Sequence, residues 1–177
     1  MIRLKAQNPD VFTADEPIVQ FSRDEVGYLK ELAPRSARKR VRICAHKDSG
    51  LPLNEMLLLF ARGTYIRPSK HIGKEESLHV VDGRGLYVFF DEKGRMNKAI
   101  PVGDLASGRS FYVRTPPEVY HSLLVESDFL VLHEVTQGPF RREDTVYADW
   151  APADGDPAIA ATMEKMLSDA KALAGKK

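Results

Sequence analysis

The stretch that decides the fold runs from Gly63 to Gly83 and reads "GTYIRPSKHIGKEESLHVVDG". Two histidines, His71 and His79, and two adjacent glutamates, Glu75 and Glu76, lie between glycines in a region of short apolar runs. On a strand, residues two apart share a face, so Tyr65, Arg67, Ser69 and His71 are expected to project together. Glu76 follows His71 by five residues, past a loop marked by Gly73, and opens the next apolar run. His79 stands at odd separation from Glu76, so strict alternation turns it to the opposite face.

Strand signals continue on both sides. "KRVRICAHK" alternates charged and apolar residues at period two. "EMLLLFARGTYI", "SLHVVDG", "GLYVFFDEKG", "SFYVRTPP", "YHSLLVES" and "DFLVLHEVTQG" are short apolar or alternating runs, separated by "DGRG", "DEKG", "ASG", "TPPE" and "ESD". Six or seven short strands without intervening helices predict an antiparallel sandwich or barrel. Helices flank it. In "QFSRDEVGYLKELA", Ser22 and Glu25 form a capping-box pattern, Phe21 and Val26 a hydrophobic staple, and Val26, Leu29 and Leu32 one apolar face. In "DPAIAATMEKMLSDAKALAG", Pro157 marks the first turn and Gly175 the stop. The methionine stripe between them is expected to pack against the domain or a partner subunit.

Composition limits the function classes. The chain has 177 residues, 43% hydrophobic and 29% charged, with net charge +1, as expected of one globular domain with a core of its own. A balance so near neutrality gives no electrostatic case for nucleic acid or a membrane surface. A single cysteine, Cys44, excludes a disulfide framework and a cysteine-rich zinc module, and it reads as a small packed residue. "MIRLKAQNPDVF" lacks the apolar core of a signal peptide, and no run reaches membrane-spanning length, so a cytoplasmic location is expected. The basic cluster "RSARKRVR" (Arg35 to Arg42) reads as a solvated strand edge, with a phosphate patch as the alternative.

One constellation has chemical content. His121 follows "RTPPEVY", where prolines stiffen a turn before another strand. Were the strands to face each other across a barrel, His71, Glu76 and His121 would converge. Two imidazoles and a carboxylate suit Fe(II), Mn(II), Zn(II) or Ni(II), with coordination positions left for water or substrate. Glu75 and Asp82 are expected outward or in turns, and His46 either at the pocket mouth or in a structural role at a strand end.

The spacing of Gly63, Ser69-Lys70-His71, Glu76 and Gly83 resembles the first cupin motif, with Ser69 where that motif carries its first histidine. "PPEVYH" (Pro116 to His121) resembles the second, with Glu118 in place of a glycine whose positive φ glutamate is expected to resist. More narrowly, "GTYIRPSKH", "KEESLHVVDGRGLYVFFDEKGRM", "TPPEVYHSLL", "HEVTQGPF" and "YADWAPADGD" are similar to the WbuC-type cupins of O-antigen and polysaccharide biosynthesis. The resemblance implies a double-stranded β-helix, or jelly-roll barrel, over residues 37–156. An amino-terminal extension with one helix (1–36) would precede it and a carboxy-terminal helix (157–177) would follow. It maps His71, Glu76 and His121 onto three of four metal ligands and implies a divalent metal, a sugar-like or small oxygenated substrate, and a homodimer. Of His133 and Glu134 only one faces inward, and the family's pattern favours Glu134. Glu134 and Tyr65 are the expected proton-moving residues, with Arg67 and Ser69 as substrate contacts. Two alternatives accompany this reading: a metal-free sugar-nucleotide isomerase or epimerase, and a non-catalytic binding cupin.

Overall fold

Two strands much longer than the turn signals suggest carry the architecture. The structure, a computed structural model, describes residues 1–175. Its elements are β1 (Leu4–Asn8), β2 (Val11–Ala14), α1 (Arg23–Leu32), β3 (Arg40–Cys44), β4 (Leu53–Ala61), β5 (Ser69–His71), β6 (Glu76–Phe90), β7 (Met96–Gly103), β8 (Tyr112–Thr115), β9 (Tyr120–Gln137), β10 (Thr145–Tyr147) and α2 (Ile159–Ala174). β6 and β9 pair antiparallel along almost their whole lengths, from Glu76 opposite Thr136 to Phe90 opposite Tyr120.

The motifs "DGRG" and "ESD", expected as hairpin turns, are instead a shared bend in these two strands. Register breaks between Val80 and Asp82 and again between Gly83 and Gly85. Only glycine fits there. A Cβ on Gly83, whose φ is +90°, would lie 2.2 Å from the carbonyl oxygen of Phe129, and one on Gly85 would lie 2.6 Å from that of Leu124. On one side of the bend the β6–β9 pair is flanked by β8 and by β4 and β3; on the other it is flanked by β7 and by β5 and β10. The two halves enclose a core of Met56, Leu58, Phe60, Leu78, Val80, Tyr87, Phe89, Leu123 and Leu132.

The bend also switches which residues face inward. Along β6, Leu78 and Val80 belong to the inner core before it, and Tyr87 and Phe89 after it. Along β9, Leu123 faces inward on one side and Leu130 and Leu132 on the other. Even positions exchange with odd ones because an irregularity inserts a residue into a period of two.

The helices cover the outer faces. Ser22 caps α1 in a complete capping box, with Glu25 accepting from the Ser22 amide at 2.7 Å. Leu29 and Val26 pack on the outward side chains Val41, Ile43, Leu57 and Leu59. Leu29 is fully buried, which is worth about 1.5–3 kcal/mol. α2 begins two residues after Pro157 and lays Met166 and Ala170 on Leu86, Val88 and Phe90, so the methionine stripe packs on its own domain. The first 36 residues contribute more than one helix: β1 and β2 form a hairpin, and β2 runs parallel to β3 as part of the same sheet. β7 was not legible as a strand, since Pro101 and the polar Asn97 and Lys98 mask it; it pairs only with β6, as an edge strand holding proline should. No helix among the described residues is long and apolar enough to cross a membrane.

Candidate metal centre and its cavity

Three strands deliver three side chains to one point. His71 ends β5, Glu76 begins β6 and His121 lies at the start of β9. Glu76 Oε2 is 3.2 Å from His71 Nε2, and Glu76 Oε1 is 2.9 Å from His121 Nε2. The candidate ligand atoms all lie within 4.8 Å of one another. Glu76 is only 7% exposed. Glu75 instead pairs with Arg114 away from the cluster, so alternation separates the adjacent glutamates as the spacing predicts.

The turn before His121 holds a correction. Glutamate at position 118 was expected to resist the positive φ that glycine allows, yet Glu118 adopts φ 62°. Its amide donates to the carbonyl of His71 at 2.9 Å, tying the β8–β9 turn to the end of β5. That bond secures the two imidazole-bearing segments to each other and offsets the local strain.

Each imidazole is oriented through its other nitrogen. His121 Nδ1 lies 2.8 Å from the Val119 carbonyl, which can only accept, so Nδ1 carries the proton and Nε2 faces Glu76. His71 Nδ1 lies 3.2 Å from Thr145 Oγ1 of β10. Burial alone would push His121 down, but the Glu76 carboxylate overrides it and raises its pKa. Burial would likewise push Glu76 up, yet His121 and His71 hold it well below the usual carboxylate range. A proton on His121 Nε2 would make the pair with Glu76 an imidazolium–carboxylate contact, and a divalent cation bound there would take that proton's place.

Tyr87 joins this network without having been anticipated. Its buried hydroxyl donates to Glu76 Oε1 at 2.6 Å and lies 2.9 Å from Thr115 Oγ1. Burial and the Glu76 charge together raise its pKa far above the ordinary tyrosine value. Eleven residues separate Tyr87 from Glu76, an odd number, so only the bend in β6 puts them on one face.

The cluster opens into a cavity of about 1070 Å³. Ser69 lines it, opposite both His121 and Tyr147 in register. Arg67 lines it as well; one terminal nitrogen donates to the Ala148 carbonyl at 2.7 Å and its guanidinium lies 5.5 Å from the Tyr147 ring centroid. Tyr65 is not among the lining residues: residues 62–68 form no strand, alternation lapses, and its hydroxyl donates to the Pro152 carbonyl at 3.0 Å. Its pKa is pushed up to about 12, chiefly by burial. His79 faces away and meets Phe111, and His133 lies 3.6 Å from Glu55. His46 caps the end of β3, its Nδ1 3.0 Å from the Glu55 amide. Cys44 is buried in the inner core.

Glu134 lines the cavity, and its pKa is raised to about 8, first by burial and then by the Glu76 charge, against the opposing pull of Arg42 and His121. The sign is the reverse of an ordinary paired carboxylate. In the unfolded chain Glu134 ionises near 4.5; in the folded protein it keeps its proton to about 8, so it costs stability increasingly between those values. Glu134→Gln should therefore gain stability relative to the native chain as pH rises from 5 to 8, by on the order of a few kcal/mol, and level off above. Thermal unfolding across that range checks it; a difference independent of pH would show that Glu134 is not proton-bound.

Comparison with known proteins supports the fold. Residues 21–102 match the model of a domain of unknown function, DUF6016. No curated protein matches the chain. A protein from Shewanella oneidensis is similar in structure, with TM-score 0.57 and 12% identity over 90% of this chain and all of its own. An uncharacterised conserved protein with a double-stranded β-helix domain, from Klebsiella pneumoniae, superposes with TM-score 0.52 and 15% identity, covering 76% of this chain and 99% of that one. Likeness at such low identity speaks to architecture alone: the chain is a double-stranded β-helix whose sheet does not close into a ring.

Proposed function

We propose that this cupin-type double-stranded β-helix holds a divalent transition-metal ion through His71, Glu76 and His121 and uses the adjoining cavity to act on a small oxygenated molecule. The observation that carries this reading is the convergence of three ligand atoms from three strands, with His121 Nε2 directed inward by the Val119 carbonyl. The donor set fits, since two imidazoles and a carboxylate are borderline ligands that leave positions free for substrate. A metal held there would supply a Lewis acid at the cavity floor.

The protein's own residues have separable tasks. Glu76 is the most constrained ligand, because Tyr87 also binds it. Tyr87 and Thr115 fix the carboxylate's orientation, as outer partners of metal ligands do. Glu134 carries a proton at neutral pH and lies on the cavity wall, where it can donate to a developing oxyanion. Ser69, opposite His121, is placed to contact substrate. The narrower resemblance to WbuC-type cupins supports a sugar-like substrate in bacterial polysaccharide metabolism.

A second reading has its own observation. Tyr87, Glu76 and His121 form a continuous hydrogen-bonded chain complete in protein atoms alone, as a metal-free isomerase or epimerase would use for proton transfer. Position 69 separates the two readings. Ser69→His should supply a third imidazole, and so a fourth ligand, opposite His121 and tighten Zn(II) or Ni(II) binding about tenfold or more in equilibrium dialysis, while His121→Ala should weaken it by a similar factor. Metal affinity indifferent to both changes would favour the metal-free chain.

A further inference from the structure

The cluster "RSARKRVR", expected as a solvated edge, lies on the cavity. β3 alternates, and Val41 and Ile43 take the outer face beneath α1 while Arg40, Arg42 and Cys44 line the cavity. Across the mouth stands Arg67. Among the described residues, none of these three arginines makes an ion pair, whereas the neighbouring Arg38 pairs with Asp154 at 3.8 Å and Lys74 with Asp144 at 2.6 Å. Of the acids that share the cavity, Glu76 meets the two histidines, Asp144, Asp154 and Glu75 pair with Lys74, Arg38 and Arg114, and none of Asp10, Asp48 and Glu134 pairs with the three arginines.

Unmet polar capacity points the same way. Three buried side-chain polar atoms among the described residues have no hydrogen-bond partner: Arg67 Nε and both amide atoms of Asn54. Both residues line this cavity, and Asn54 is only 3% exposed. Leaving a buried donor unpaired costs about 1–3 kcal/mol, so such atoms mark where a ligand repays the cost. Arg40 is under strain of the same kind. Burial and the like charge of Arg38 hold its pKa below the ordinary value, with Asp154 and Tyr147 offsetting only part.

We propose that Arg40, Arg42 and Arg67 form a subsite for the phosphate of a phosphorylated small molecule whose other end reaches His71, Glu76 and His121. The inference deepens the reading of this cavity as a small-molecule site and rests on it. Three guanidiniums without counter-ions suit a dianion better than a monoanion, and each offers the planar fork that phosphate oxygens accept.

Calorimetric titration of the full chain as purified, with inorganic pyrophosphate as probe, tests the assignment. Arg40→Gln and Arg67→Gln should each weaken binding about tenfold or more. Arg42→Gln, at an exposed position with no packing to lose, should weaken it in the same direction and guards against a folding defect in the other two. His79→Ala, on the opposite face of its strand, should leave pyrophosphate affinity within about twofold. Unchanged binding in the arginine variants would overturn the subsite, as would no binding at all. Loss confined to His121→Ala would also overturn it, while leaving the metal reading intact, because the anion would then be reporting the cluster. Tighter binding of tartrate than of pyrophosphate would replace phosphate with carboxylate and overturn the assignment as stated.

Discussion

Replacing Glu76 by glutamine is expected to abolish metal retention and to cost roughly 3–5 kcal/mol of stability, the range for removing one partner of a buried ion pair. The carboxylate receives Tyr87 at 2.6 Å and faces His121 at 2.9 Å and His71 at 3.2 Å, so no other single change disturbs as much of the cluster. The loss should depend on pH in a defined direction. Glu76 is held below the usual carboxylate range, so its contribution is present above about 4.5 and fades as pH falls through the folded-state value. His121 is raised above 6.5, so its share is complete below that value and fades as pH rises through the folded one. The difference between native and Glu76→Gln protein should therefore be largest between these limits. Denaturant unfolding in chelated buffer from pH 3 to pH 9 measures it, and a flat difference would mean that the pair does not form.

The second large effect concerns the bend rather than the cluster. Gly83→Val is expected to prevent folding or to lower the melting temperature by roughly 10 °C or more, corresponding to about 4 kcal/mol in a chain of this size. Its φ of +90° is hostile to a β-branched side chain, and the first added carbon would lie 2.2 Å from a backbone oxygen that cannot step aside. Gly73→Val supplies the comparison: its φ is +64°, but nothing lies within 4 Å, so only the conformational cost of about 1–2 kcal/mol remains. Equal losses at the two positions would show that the clash at the bend is not what fixes position 83.

These two sites mark the limit of what the sequence could tell. Alternation within one strand segment is short-ranged, and where it held it placed residues well: Glu76 inward, His79 outward, Glu75 apart from the cluster, Ser69 and His71 on one face. Across an irregularity it failed. Tyr87 was missed because the bend in β6 exchanges odd for even, and "DGRG" and "ESD" read as turns because glycine and polar residues mark a bulge as readily as a hairpin. Arg40 and Arg42 were assigned to the correct strand, and Arg42 is exposed as a solvated edge requires, but a period of two separates faces without saying which one borders a cavity. Tyr65 was grouped with Ser69 by parity that does not exist outside a strand. Glu118 shows the converse, a residue identity that argued against a backbone conformation which a tertiary hydrogen bond then supports.

The central claim is that His71, Glu76 and His121 hold a metal. Elemental analysis of the full chain, purified without chelators and then dialysed against Mn(II), Fe(II), Ni(II) or Zn(II) in turn, tests it most directly. The account predicts about one ion per chain for at least one of these metals in the native protein, and none in Glu76→Gln, whose Tyr87 and histidines remain. Native protein that retains no metal under any of these conditions, or a Glu76→Gln variant that retains as much as the native chain, would contradict it.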